Sequence, residues 1–167
     1  RISDAKCLAE GYTRGVAQAR FETIVLCQDD IDILCQDALD DVLHKGLQEF
    51  DLIGVAGPTA LKATRWLDSG AANLAGLLIQ GPVGNADAPF SVTYYDTGDV
   101  LHIEVQALDG VFIAAKKEVF ARVRFDSNAF DGAQLYDTDF TYRCHRAGLR
   151  VGVMKELLLV SGSISAP

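Results

Sequence analysis

The chain lacks long hydrophobic runs, clusters of basic residues, internal repeats and paired metal-binding cysteines, and these absences exclude several classes of protein. No segment approaches the roughly 18 uninterrupted apolar residues that a membrane-spanning helix needs, so we predict no membrane span. The 15 Lys and Arg residues are scattered among 23 Asp and Glu residues, which gives a net charge of −8. Without clustered positive charge to neutralise phosphates, we predict no nucleic-acid partner.

The four cysteines and three histidines show no metal-binding pattern. No Cys-x-x-Cys pair occurs, and no histidine stands at zinc spacing from a cysteine. Each cysteine lies among apolar residues, so we predict buried free thiols, which fit a reducing compartment and a cytoplasmic protein. The residues concerned are Cys7, Cys27, Cys35, Cys144, His44, His102 and His145.

The length of 167 residues, 49% of them hydrophobic, predicts one compact domain over residues 1–167. A chain of this size buries roughly 70% of the surface that its unfolded form exposes. The first residue is Arg1 rather than Met, so we expect the sequence to be a piece of a longer protein.

Hydrophobic periodicity predicts the alternation of helices and strands that is typical of α/β folds. Short, continuously apolar runs at residues 23–27 and 52–56 are typical of buried parallel strands. We predict helices over residues 4–20, 37–50, 117–123 and 138–147, further strands over 111–115 and 149–154, and a hairpin over 91–106. Residues 57–73, with Trp66 as their one large apolar anchor, are predicted to be a surface excursion.

An acidic cluster follows the run at residues 23–27 and contains Asp29, Asp30 and Asp32. In open α/β sheets, ligands bind beyond the carboxyl ends of strands. Three carboxylates within four residues repel one another unless a cation offsets them, so the cluster predicts a Mg²⁺ or Mn²⁺ site that uses Asp30 with Asp29 or Asp32. Solvated turn residues and helix caps are the alternative interpretation, because Asp is common at both.

A second acidic cluster, with Asp137 and Asp139, opens the predicted helix at residues 138–147. Asp137 or Thr138 can simply cap this helix, and Asp139 can answer the helix dipole. A carboxylate at a helix entrance near a cation is equally suited to accept a proton from a hydroxyl.

Several stretches together resemble family 2 glycosyltransferases with the GT-A fold. Residues 53–57 and Trp66 further resemble a bacterial subgroup of these enzymes, and the similarity covers nearly the whole chain. The stretches are residues 11–20 and 23–30, then Leu-Asp-Gly-Val-Phe-Ile-Ala-Ala-Lys-Lys-Glu-Val-Phe at 108–120, Arg-Phe-Asp at 124–126, Tyr-Asp-Thr-Asp-Phe-Thr-Tyr-Arg at 136–143, and 147–151.

The resemblance implies a GT-A-like mixed sheet with flanking helices and an inverting, hexosyltransferase-like enzyme. Such an enzyme moves a sugar from a nucleotide-diphosphate donor to a hydroxyl of a glycan or another acceptor, with Mg²⁺ or Mn²⁺ bridging the diphosphate. Carried over residue by residue, Asp137 is the general base, and Asp30 and Asp32 hold the cation in an Asp-x-Asp-like motif. The implied substrate-binding residues are Asp29, Asp109, Gly110, Asp139 and Trp66.

The sequence departs from the family pattern at several points. Gln28 stands where many relatives have the first acid of the metal motif, Tyr136 replaces the Glu of a Glu-Asp pair, and the histidine that often follows the last strand is missing. The resemblance also implies an N-terminally truncated domain without the first βαβ element. The sheet edge left in this way would need a cover, such as a second copy of the chain in a homo-oligomer.

Two alternatives stay open. A non-catalytic GT-A-like domain that binds a glycan or a protein partner fits the missing front and the missing histidine. A metal-dependent phosphotransferase would use Asp30 or Asp32 as a nucleophile, but it also needs a downstream Lys and a second acidic pair, for which the sequence offers no convincing match.

Overall fold

The computed structural model describes residues 2, 4–85, 89–95, 98–127 and 135–162, and within them the chain is a mixed α/β structure. The helices are α1 (Leu8–Gln18), α2 (Leu39–Glu49), α3 (Lys117–Arg122) and α4 (Tyr136–Arg146). The strands are β1 (Thr23–Cys27), β2 (Ile31–Ile33), β3 (Leu52–Gly54), β4 (Ala56–Pro58), β5 (Leu74–Gln80), β6 (Ser91–Tyr94), β7 (His102–Val105), β8 (Phe112–Lys116), β9 (Val151–Met154) and β10 (Leu159–Ser161). The predicted alternation of helices and strands is confirmed.

The first of two sheets has the strand order β1-β8-β3-β9-β7. Only β3 and β9 run parallel, and the other neighbours are antiparallel. The prediction that residues 23–27 form a buried parallel strand is therefore wrong in two respects: β1 pairs antiparallel with β8, and its residues are alternately exposed and buried. A continuously apolar run does not reveal which neighbour will cover each face of the strand.

The second sheet joins β2, β10, β5 and β4 in that order, with β6 also paired to β5. The predicted hairpin over residues 91–106 is wrong, because β6 pairs with β5 while β7 pairs with β9 in the other sheet. Part of its predicted turn, residues 96–97, lies outside the described residues. A local turn signal does not show that each strand will pair with a strand remote in the chain.

Helices cover both faces of the first sheet and form two apolar cores. One core packs α1, α3 and α4 against one face, and the other packs α2 against the opposite face. Trp66 is buried in the second core, which agrees with its predicted place as an apolar anchor, but the prediction of a surface excursion over 57–73 is wrong for residues 57–58, which are buried in β4. The two cores lie on opposite faces because successive side chains of β8 point to opposite sides of the sheet: Ile113 belongs to the first core and Phe112 to the second.

The start of α4 positions the second acidic cluster. Leu135 has a left-handed backbone with φ 65, and the helix begins at Tyr136, two residues before the predicted start. Asp137 and Asp139 therefore lie in its first turn, where carboxylates interact favourably with the helix dipole. Gly148, with φ 79, follows the helix as the predicted stop.

The cysteines are free where the chain is described, but only Cys144 is buried. Cys7 and Cys35 are half-buried, and Cys27 is exposed, which corrects the prediction of four buried thiols. Among the helices of the described ranges, none has the length and apolarity required to cross a membrane.

Candidate active site

Asp137 lies where the first turn of α4 meets the loop before β8. Its carboxylate accepts hydrogen bonds from the backbone amides of Gly110 and Thr138. Thr141 reinforces the junction, because its Oγ1 donates to the Asp137 carbonyl oxygen at 2.7 Å and accepts the Leu108 amide at 2.9 Å. The loop before β8 is thus joined to α4 at two points, by the Leu108 amide on Thr141 and by the Gly110 amide on Asp137.

Gly110 is the residue that allows this close approach. A Cβ atom at this position would lie 2.6 Å from Asp137 Oδ2 and 2.7 Å from the Tyr136 hydroxyl. Any side chain would therefore displace the carboxylate from the Gly110 amide.

Asp109 is held beneath the site by two neutral donors. The Trp66 indole N–H donates to Asp109 Oδ2 at 3.0 Å, and the Val111 amide donates to Oδ1 at 2.9 Å. Burial raises the pKa of Asp109, and these two hydrogen bonds oppose that rise. Trp66 in turn packs edge-on against Tyr95, with ring centroids 5.3 Å apart.

The surroundings of Asp137 make its carboxylate a stronger base than an ordinary aspartate. Burial, together with the negative charge of Asp109, raises the pKa of Asp137 from 3.8 to about 6, although the backbone hydrogen bonds oppose the rise. A carboxylate with a pKa near the working pH is suited to accept a proton and to release it again.

Two tyrosines link the start of α4 to the end of β1, directly before the first acidic cluster. The Tyr136 hydroxyl donates to Tyr12, whose own hydroxyl donates to the Cys27 carbonyl oxygen at 3.4 Å. Burial is the main cause that raises the pKa of both phenols, so both stay protonated at neutral pH. The negative charges of Asp137 and Asp29 add to the rise at Tyr12, and each contributes less than burial does.

Gln28 connects this pocket with the second sheet. Its backbone amide donates to the Val111 carbonyl oxygen at 3.2 Å, and its side-chain oxygen accepts the Ser161 hydroxyl at 3.2 Å. The position that departs from the metal motif of the family is thus a structural bridge in this chain.

Asp30 and Asp32 lie on the second sheet. Asp32 stands opposite Val160 in the antiparallel β2–β10 pair, and the Gly162 amide donates to the Asp30 carbonyl oxygen at 2.8 Å, which continues the same register. Asp30 directly precedes β2, and its Oδ2 lies 3.2 Å from the position that a Cβ on Gly162 would take.

The donor set at Asp30 and Asp32 suits Mg²⁺ or Mn²⁺ bound together with substrate phosphates. Such ions commonly take one or two protein carboxylates and complete their coordination with phosphate oxygens and water. Within the described ranges, His, Cys, Asp and Glu form no group of three or more that could hold a metal ion by itself.

Asp139 forms an ion pair within its own helix. Its Oδ2 lies 2.6 Å from Arg143 Nη2, in the ion pair that the i, i+4 spacing predicts, and Arg143 also donates to the Arg124 carbonyl oxygen. A substrate contact for Asp139 stays a prediction.

The structure therefore groups four predicted residues in one network around the start of α4: Asp109, Gly110, Asp137 and Trp66. Sequence analysis missed Tyr12 and Thr141 as parts of this network. The i, i+4 spacing of Thr141 from Asp137 was a usable signal, because a threonine hydroxyl reaches the carbonyl oxygen one turn before it. Tyr12 looked only like an apolar position of a helix.

A family model described as a glycosyltransferase-like family matches residues 1–158. The chain belongs to this glycosyltransferase-like family. All the predicted site residues of the glycosyltransferase-like chain fall within the matched range, and membership indicates a transferase with sugar substrates. No curated protein matches the chain.

Proposed function

We propose that the chain is an inverting glycosyltransferase of GT-A type, with Asp137 as the general base. The observation that carries this proposal is a buried carboxylate at the start of α4, whose pKa is raised to about 6, in a chain of the glycosyltransferase-like family. The donor is a nucleotide-diphosphate sugar and the acceptor supplies a hydroxyl.

In the proposed reaction, the acceptor oxygen attacks the anomeric carbon while its proton passes to an Asp137 carboxylate oxygen. The bond between the anomeric carbon and the donor phosphate oxygen breaks, and the nucleotide diphosphate leaves with the electron pair. Attack from the opposite side inverts the anomeric configuration. General-base catalysis of this kind contributes about 10²- to 10⁴-fold to the rate.

Asp30 and Asp32 would hold Mg²⁺ or Mn²⁺, with Asp29 beside them near Tyr12. When bound, the ion neutralises charge on the diphosphate leaving group. Gln28 supports this arrangement, because it links the pocket of Asp137 to the strand that flanks Asp30. The hydrogen bonds of Trp66 and Val111 fix the Asp109 carboxylate beneath the base.

Calorimetry with UDP and GDP, with and without Mn²⁺, tests the donor half of the proposal on the longest available form of the protein. We expect nucleotide binding that depends on the metal and is lost in Asp30→Asn. Absence of metal-dependent binding would remove the enzyme hypothesis.

The base is tested with Asp137→Asn. We expect turnover to fall by about 10²- to 10⁴-fold while donor affinity is nearly unchanged, because a general base acts mainly in the transition state. Glu118→Gln is the matched control, since it removes an exposed carboxylate from the first turn of another helix, α3. Unchanged turnover in Asp137→Asn would refute the assignment.

A second candidate is a non-catalytic member of the family that binds a glycan or a protein. The two-carboxylate donor set favours it, since the described residues add no third His, Cys, Asp or Glu to hold an ion. Saccharide binding without metal-dependent nucleotide binding would identify this case.

A further inference from the structure

One face of the second sheet carries a continuous row of side chains across four strands. The register aligns Asp32 with Val160, Val160 with Ile79, and Ile79 with Val92. Paired residues in neighbouring strands project from the same face. We call this surface the β2–β6 face.

The adjacent row contains two glycines between an acid and an aromatic ring. A Cβ on Gly162 would lie 3.2 Å from Asp30 Oδ2, and a Cβ on Gly81 would lie 2.9 Å from Phe90 Cβ. The Gly81 amide donates to the Ser161 carbonyl oxygen, which keeps these strands in register. With neighbouring strands about 4.8 Å apart, the backbones at Asp30 and Phe90 are separated by roughly 14 Å, and the two glycines between them let the side chains of Asp30 and Phe90 approach the strands closely.

Two cavities open on this region, with volumes of about 150 and 580 Å³. Phe90 and Pro82 line both, Asp32 lines the smaller one, and Gly162 lines the larger one next to Asp30. The lining residues of these two cavities, all within the described part of the chain, include no Lys or Arg. The cavities therefore combine an aromatic wall with the carboxylate of Asp32, and their lining offers no side-chain cation to an anionic ligand.

The apolar side chains of β6 continue outward from the cavities. Phe90, Val92 and Tyr94 are 62%, 45% and 61% exposed, and they alternate along the chain so that all three project from the β2–β6 face. Exposed apolar patches beside polar groups are characteristic of ligand-binding grooves. The stripe is about 13 Å long at the usual rise per residue, which suits an extended ligand.

We propose that the β2–β6 face binds the acceptor as a neutral oligosaccharide, an assignment that rests on the proposed function. A sugar ring has an apolar C–H face that can pack on Phe90 and Tyr94, and hydroxyls that can donate to the carboxylate of Asp32. The surface is continuous with the proposed donor site, because Asp30 borders both. The acidic rim disfavours anionic chains by charge repulsion.

Saturation-transfer NMR with cellohexaose, maltohexaose and chitohexaose tests this proposal. We expect at least one of these neutral probes to bind, with the largest transfer to protons on one ring face. Phe90→Ala combined with Tyr94→Ala should weaken that binding at least 10-fold. Thr93→Ala is the matched control, because Thr93 is equally exposed on β6 and projects from the opposite face.

Binding of none of the three probes, or equal binding by the double variant, would overturn the proposal. A sedimentation experiment adds an independent criterion: if the double variant converts a dimer to a monomer, the stripe is an interface between two copies and the proposal is also wrong. Mn²⁺-dependent UDP binding should survive in the double variant. Saccharide binding without UDP binding would support the β2–β6 face as a saccharide site and would contradict the proposed transfer reaction.

Discussion

Two groups of carboxylates in this molecule occupy opposite electrostatic environments. Asp137 and Asp109 lie close to each other at the start of α4, and their carboxylates accept hydrogen bonds from backbone amides and the Trp66 indole. Glu49 and Glu156 instead surround a histidine and a lysine at the edge of the first sheet.

The second group is bound by a histidine and a lysine. His102 Nδ1 lies 2.7 Å from Glu49 Oε2, and His102 Nε2 lies 2.7 Å from Glu156 Oε2. Lys45 Nζ lies 3.1 Å from Glu156 Oε1. Burial by itself raises the pKa of Glu156, but hydrogen bonds from His102 and Lys45 outweigh it, and the pKa is lowered.

The contrast shows burial and partner acting together. Asp109 and Asp137 are deeply buried with neutral donors, so their pKa values are raised, whereas hydrogen bonds from His102 and Lys45 lower the pKa of the less buried Glu156. The two groups should therefore change stability in opposite directions over the acidic range. The carboxylates at the start of α4 weaken the fold at neutral pH, as proposed catalytic groups often do.

The largest expected effect is in Asp137→Asn. Because folding raises the pKa of Asp137 from 3.8 to about 6, its contribution to stability is greatest below pH 4 and is lost as the pH rises to about 6. This loss lowers the free energy of unfolding by about 2 to 3 kcal/mol. Urea denaturation at pH 4 to 7 should show wild type losing stability relative to Asp137→Asn across this interval. A constant difference between the two proteins would contradict the raised pKa.

Gly110→Ala should destabilise the protein by about 2 kcal/mol at pH 7, because the new Cβ would collide with Asp137 Oδ2 and the Tyr136 hydroxyl. The measurement is the urea midpoint together with the m-value. Gly11→Ala is the control, since its Cβ would meet only Ala5 at 3.5 Å and Ala favours the helix. Equal effects of both substitutions would show that the site is not closely packed.

His102→Ala should lower the free energy of unfolding by about 1 kcal/mol at pH 7. The effect is small because Glu49 is partly exposed and solvent screens its interaction with His102. The lowered pKa of Glu156 gives stability that is present above about 4.5 and disappears as the pH falls below it. The difference from wild type should therefore shrink on acidification, opposite to Asp137→Asn. His44→Ala, at an exposed position of α2, is the comparison variant.

The smallest effect is expected in Asp139→Asn. The i, i+4 ion pair of Asp139 with Arg143 is partly exposed. Its removal should therefore lower the free energy of unfolding by about 0.3 to 0.5 kcal/mol, and this effect should diminish in 1 M NaCl. Thermal denaturation at low and high salt measures it. A loss above roughly 2 kcal/mol would place Asp139 with the carboxylates at the start of α4 rather than among surface pairs.

Sequence patterns predicted the elements of the first sheet better than those of the second. The helical periodicity of α2 and the Gly148 stop of α4 are local properties, and the structure retains both. Strands β5 and β10 were missed because Gly76 interrupts the apolar run of β5 and β10 is only three residues long. Neither has the period-two pattern that identifies a half-buried strand.

For the candidate site, the sequence identified the acids but not their environments. The two acidic clusters and the Asp109-Gly110 pair stand out in the primary structure, and the glycosyltransferase resemblance that they carry is confirmed by family membership. Patterns along a chain cannot show that Trp66 donates to Asp109, 43 residues away, or that Tyr12 lies beside Tyr136.

The amino-acid sequence by itself determined which residues can carry charge, where helices begin and end, and which family the chain belongs to, because each depends on local order along the chain. Only the tertiary structure decided which of those charges lie together and how strongly they hold a proton. Desolvation and charge repulsion depend on distances between segments remote in the chain, as the pKa of Asp137 beside Asp109 illustrates.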